Sequence, residues 1–82
     1  LIGFAEKGDG EVKASARATQ FLVEKGLDLS AAIKKAASQV NGVGGGHNIA
    51  AGATIPKGEE ERFLEILEEE IKNQLSSSRD VL

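Results

Sequence analysis

The stretch Gly42-Val43-Gly44-Gly45-Gly46-His47-Asn48-Ile49-Ala50-Ala51-Gly52 constrains this chain more than any other. Glycine gives up more backbone freedom on folding than any other residue. A compact domain therefore keeps three in a row mainly where a side chain would obstruct something. The obstructed partner is either another backbone or a ligand. Successive glycine N–H groups that point into one concavity form an anion-binding nest. His47, the sole histidine, adds a directional donor directly after it. Gly44, Gly45, Gly46 and His47 are thus expected to form a loop that receives a phosphate.

Other uses of this stretch fit less well. Dinucleotide and P-loop fingerprints run strand, glycine loop, helix, and a P-loop also needs Gly-Lys-Ser/Thr. Here the order reads helix, loop, strand, and that tripeptide is absent. As a metal ligand His47 lacks company: there is no second His and no Cys, and the acids lie mostly on a distal helix. As a general base it has no evident nucleophile. No catalytic residue and no metal ligand is assigned. A helix stop followed by a bend is the plain structural alternative.

The flanking sequence reads as a small α+β unit. Residues 1–6 form a strand, and Lys7-Gly8-Asp9-Gly10 a hairpin turn with residues suited to positive φ. From Glu11 to Ala18 small apolar residues alternate with polar ones, the mark of a half-buried strand. Its polar face sets Ser15 beside Arg17. A guanidinium clamps phosphate bidentately and a hydroxyl supports it, so Arg17 and Ser15 join the candidate site. That requires this strand to neighbour the one that follows the glycines.

Thr19 to Gly26 is ambiguous, with Thr19 placed to cap a short helical turn through Lys25. Asp28 caps a clearer helix whose apolar residues run from Leu29 to Val40, ended by Asn41-Gly42. Ile49 to Ile55 reads as a third strand and about 59–75 as a long helix. Residues 76–82 read as a flexible tail, leaving 1–75 as the domain. The expected order is β-β-α-β-α, with a small mixed or antiparallel sheet and the helices packed on one face.

The formal charge of −3 is unevenly spread. Residues 1–57 carry seven Lys and Arg against five Asp and Glu, whereas residues 58–82 carry three against eight. The acid is concentrated away from the glycines. An overall acidic chain is a poor non-specific nucleic-acid binder, but a local basic pocket remains compatible with it. Aromatics amount to three Phe, read as core residues. With no cysteine there is no disulfide and no thiolate metal site. There is no transmembrane span and no signal-peptide basic region, which fits a cytoplasmic protein. A start inside a strand, without Met, suggests a piece of something larger.

Val12-Lys13-Ala14-Ser15-Ala16-Arg17-Ala18, then a helix, then Gly42 to Ala53 with its Gly-Gly-Gly-His and Ala-Ala-Gly signatures, resembles the DHH-associated domain. This is the C-terminal substrate-binding domain of the DHH phosphoesterase superfamily. The wording of Asn48 to Pro56 looks closest to archaeal RecJ-like single-strand exonucleases. The resemblance implies a separate N-terminal DHH catalytic domain holding Mn²⁺ or Mg²⁺ on Asp and His ligands. It implies that Gly44, Gly45, Gly46 and His47 grip a nucleic-acid phosphate, supported by Arg17 and Ser15. The implied partners are single-stranded nucleic acid or a short oligonucleotide, the catalytic domain, and replication or repair proteins. Implied alternatives are an oligoribonuclease, a cyclic-dinucleotide phosphodiesterase or a tRNA-editing accessory domain. A protein-interaction module using the acidic C-terminal helix is the alternative of another class. Nucleic-acid readers stack bases on aromatics. With no Tyr or Trp, base selection is expected to be weak or to come from the other domain.

Overall fold

The alternation in Glu11–Arg17 forms the strand β2, with Val12, Ala14 and Ala16 buried and the residues between them exposed. The computed structural model describes residues 2–80, with side chains through residue 76. The elements are β1 (Ile2–Glu6), β2 (Glu11–Arg17), α1 (Gln20–Glu24), α2 (Leu29–Gln39), β3 (Val43–Gly46), β4 (Ala50–Pro56) and α3 (Glu60–Asp80). The strands make one sheet in the order β1-β2-β4-β3, and every neighbouring pair is antiparallel.

The order is therefore β-β-α-α-β-β-α rather than β-β-α-β-α. The ambiguous segment is a true helix, α1, whose Leu22 N–H donates to the Thr19 side chain at 3.3 Å. The larger correction concerns the glycines. Val43–Gly46 is not a loop but an edge strand paired with β4. Ladder hydrogen bonding outweighs the flexibility of the run, because β4 offers a full antiparallel partner immediately beyond the turn. Helix α3 continues to Asp80, past the expected end near residue 75. Of the tail read over 76–82, residues 81–82 lie outside the described ones, as does Leu1 at the start of the first strand.

Small residues set the spacing of the layers. Ala14, Ala16 and Ala53 of the sheet and Ala32, Ala36 and Ala37 of α2 all lie in one buried cluster. Their short side chains let α2 approach the sheet closely. Phe63 of α3, Ile33, Ile55 and Val12 fill the remaining volume and are the largest fully buried side chains. Each such side chain contributes roughly 1.5–3 kcal/mol by leaving water. All of this lies on one face of the sheet, the face that carries the helices.

The three Phe do not share one environment, which corrects their reading as core. Phe63 is buried and Phe4 meets it edge to face, with ring centroids 6.3 Å apart. Phe21, on α1, is exposed.

Helix α2 starts on Asp28, whose carboxylate accepts from the Ala31 N–H at 3.3 Å. It stops at Val40, after which Asn41 takes φ 63° and the Gly42 N–H returns to the Ala37 carbonyl at 2.8 Å. That is a Schellman ending with Asn, not Gly, in the left-handed position. Gly42 serves a different need, since a Cβ there would collide with the Thr54 carbonyl oxygen. The Gln74 side chain of α3 clamps the entry to α2. The Asp28 N–H donates to Gln74 Oε1 at 2.8 Å, and Gln74 Nε2 donates to the Asp28 carbonyl at 3.1 Å. Lys35 of α2 and Glu70 of α3 pair at 2.8 Å on the same seam.

Candidate phosphate-binding face

Side chains in a strand alternate between faces, so register decides what shares the face away from the helices. Ser15 of β2 is opposite Gly3 on one side and Gly52 of β4 on the other, and Gly52 is opposite Gly45 of β3. A row of Gly3, Ser15, Gly52 and Gly45 thus crosses the whole sheet with one hydroxymethyl as its largest side chain. The row is a shallow trough.

One neighbouring row places Lys13 opposite Thr54, and Thr54 opposite Val43. The other places Arg17 opposite Ala50. The His47 N–H donates to the Ala50 carbonyl at 2.7 Å, so His47 extends that row at the end of β3. Positions 17 and 47 are two strand spacings apart, roughly 10 Å. The requirement that the Ser-x-Arg strand neighbour the strand after the glycines is met, because β2 pairs with β4 along its length. Lys13, Ser15, Arg17 and His47 are all exposed.

The turn that carries His47 is fixed at three points. Besides the His47–Ala50 bond, the Ala18 N–H donates to the Ile49 carbonyl at 2.9 Å, and the Leu29 N–H donates to the Asn48 carbonyl at 3.1 Å. The end of β2 and the start of α2 therefore hold the turn between them.

The three glycines separate by role. A Cβ on Gly44, which faces the helices, would lie 2.9 Å from Ile33 Cγ2, 3.1 Å from the Ala53 Cβ and 3.2 Å from the Gly52 carbonyl oxygen. Gly46 has φ 147°, and a Cβ there would lie 2.6 Å from the Ala51 Cα. Packing and backbone conformation account for both. A Cβ on Gly45 would meet nothing within 4 Å. Its missing side chain leaves the trough open and serves no internal contact.

The nest expected from consecutive glycine amides is not the arrangement present. In an antiparallel ladder N–H groups alternate between partner and edge. With His47 bonded to Ala50, the Gly45 amide turns toward β4, and the amides of Gly44 and Gly46 turn to the open edge. They do not converge on one point. Two residues of this face escaped the sequence-based selection. Lys13 was on the same alternating face as Ser15 and Arg17, and that alternation was the available signal. Gly3 could be found only from the register.

Helix α3 packs on the other face of the sheet from the trough, with its Glu68 lining a groove together with Arg17 at the end of β2, and Lys57 pairs with Glu6 at 2.8 Å near the far end. Among the described residues no three His, Cys, Asp or Glu side chains gather into a set able to hold a metal ion. These residues do not fit a divalent cation. No helix among them is long and apolar enough to cross a membrane.

The DHHA1 domain, which accompanies the DHH superfamily, matches residues 1–73. The chain belongs to the DHHA1 family. A relative from Methanocaldococcus jannaschii, an uncharacterized protein, is 41% identical over 75 residues, which is 92% of this chain and 17% of the relative. This DHHA1 chain thus spans about one sixth of the length of the curated relative it matches. In DHHA1 terms, the Gly-Gly-Gly-His segment is a strand and its pinned turn, set beside the Ser-x-Arg strand with only β4 between them.

Proposed function

We propose that this DHHA1 domain holds the phosphate backbone of a nucleic-acid strand for a RecJ-like DHH phosphoesterase, and that a separate domain cuts it. The trough row, Gly3, Ser15, Gly52 and Gly45, carries this conclusion. It is open without any packing reason at Gly45, and it is flanked by Lys13 on one side and by Arg17 and His47 on the other. A strand laid along the trough would meet the Ser15 hydroxyl, two cations and an imidazole. Charge-assisted contacts to phosphate are about twice as strong as neutral ones. Divalent metal, Mn²⁺ or Mg²⁺, belongs in this proposal to the DHH catalytic domain, since the residues here supply no ligand set. The chain alone is expected to bind short single strands weakly and to hydrolyse none.

Titration of a labelled single-stranded oligonucleotide at several salt concentrations tests this. Arg17→Ala and Lys13→Ala should each weaken binding of every sequence alike and reduce the steepness of its salt dependence by about one phosphate contact. An unchanged salt slope in both variants would remove the backbone-holding role. Competition by a cyclic dinucleotide as strong as that of the oligonucleotide would move the substrate to the small nucleotide. Turnover by the purified chain with Mn²⁺ would refute its inactivity.

A further inference from the structure

Phe21 is 65% exposed, although the chain has only three aromatic residues. Helix α1 does not need it for packing. Leu22 and Val23 are half-buried, and Leu22 lines an apolar groove together with Leu64 and Leu67 of α3. Phe21 points elsewhere, with Lys25 Nζ 5.2 Å from its ring centroid.

Its position in the molecule gives it a use. Phe21 lies four residues after Arg17, so their Cα atoms are at most about 14 Å apart. The link between them is tied to the turn that carries His47 by the Ala18–Ile49 hydrogen bond. The segments that carry the exposed ring, the guanidinium and the imidazole are thus tied together at one end of β2. Ile49, 38% exposed on that same turn, adds a second apolar contact.

We propose that Phe21 is a stacking platform for a nucleobase whose backbone phosphate lies on Ser15, Arg17 and His47; this rests on the phosphate-holding function proposed above. An aromatic ring stacks any base, because every base presents a π-face. Lys25 adds a cation beside the same ring, where the next phosphate of the strand would pass. The ligand is therefore single-stranded nucleic acid with its bases intact, bound without strong preference for sequence.

The test compares a short oligothymidylate with an abasic strand of equal length, titrated against the wild-type chain, Phe21→Ala, Phe21→Trp and Arg17→Ala. Phe21→Ala should bind oligothymidylate roughly 5- to 100-fold more weakly and the abasic strand as wild type does. Phe21→Trp should keep affinity, and its fluorescence should be quenched by oligothymidylate but not by the abasic strand. Equal affinity of Phe21→Ala and wild type for oligothymidylate, with Arg17→Ala weakened on both strands, overturns the platform and leaves phosphate holding intact. If Phe21→Ala loses both strands alike, the tryptophan signal decides, and an absent quench overturns the platform. Failure of wild type to bind either strand removes phosphate holding and the platform with it.

Discussion

At the scale of single residues, three adjacent glycines answer to three different demands. Gly46→Ala should cost about 1–3 kcal/mol, since its backbone sits where L side chains are strained and the new methyl would press on the Ala51 backbone. Gly44→Ala should cost a similar amount, about 1–3 kcal/mol, by overpacking against Ile33 and Ala53. Gly45→Ala should instead stabilise by about 0.5–1 kcal/mol, because a strand interior prefers Ala and the space is open. Urea melts of the three variants give the ordering directly. The sequence pointed to the run as a place where side chains are excluded, and this holds at Gly44 and Gly46, where a neighbouring backbone or side chain stands in the way. It did not separate exclusion by a neighbouring backbone from exclusion for a ligand, because that difference resides in the register and in the position of Ile33. Phe21 was assigned to the core for a related reason. Composition counts aromatics but does not say which face of a five-residue helix carries one.

Among the elements, those with strong periodicity were legible: the alternation of β2, the Asp28 cap and stripe of α2, and the faces of β4. The first turn was legible too, and Gly8 and Gly10 do take positive φ. The β3 strand was not, because four residues of which three are glycine carry no pattern and no strand propensity. It forms because β4 and α2 flank it. Its neighbour α1 was legible only through its cap. The α3 helix holds the α2 entry through one side chain, and this bond could not be read from a separation of 46 residues. Gln74→Ala should lose about 1–2 kcal/mol, the worth of two modest hydrogen bonds in an exposed setting. Hydrogen exchange should quicken at the Asp28 amide and leave the β2–β4 ladder unchanged. Phe63→Ala, which empties the centre of the same helix's buried face, should cost about 3–5 kcal/mol. Against a typical total of roughly 5–15 kcal/mol, that is a large share for a domain of this size.

Over the whole molecule, all the large buried side chains lie on one side of the sheet, and the other side carries mostly small residues, with Glu11, Lys13 and Arg17 of β2 and the exposed Val43 of β3 among them. A net charge of −3 hides a face with Lys13 and Arg17 and an opposite helix rich in Glu. Binding through Lys13 and Arg17 should therefore fall with salt, with a slope set by about two phosphate contacts. Reversing Glu65 and Glu69 to Lys should alter the affinity for single strands far less than losing Arg17, because these acids line a groove with Lys35 and Gln39 of α2 on the helix side of the sheet. Whole-molecule asymmetry was partly visible in the sequence as the difference in charge between residues 1–57 and 58–82. Its meaning depended on knowing that the acidic helix packs on the face of the sheet opposite Lys13 and Ser15.

Gly45→Val offers the most direct measurement. The variant adds a strand-favouring side chain where a Cβ meets nothing, and that side chain projects into the trough. Thermal melting and oligonucleotide titration of the same sample read fold and binding separately. A melting temperature at or above wild type together with at least a tenfold loss of binding is the result expected of an anion held in the trough. Undiminished binding by a folded Gly45→Val chain would contradict it.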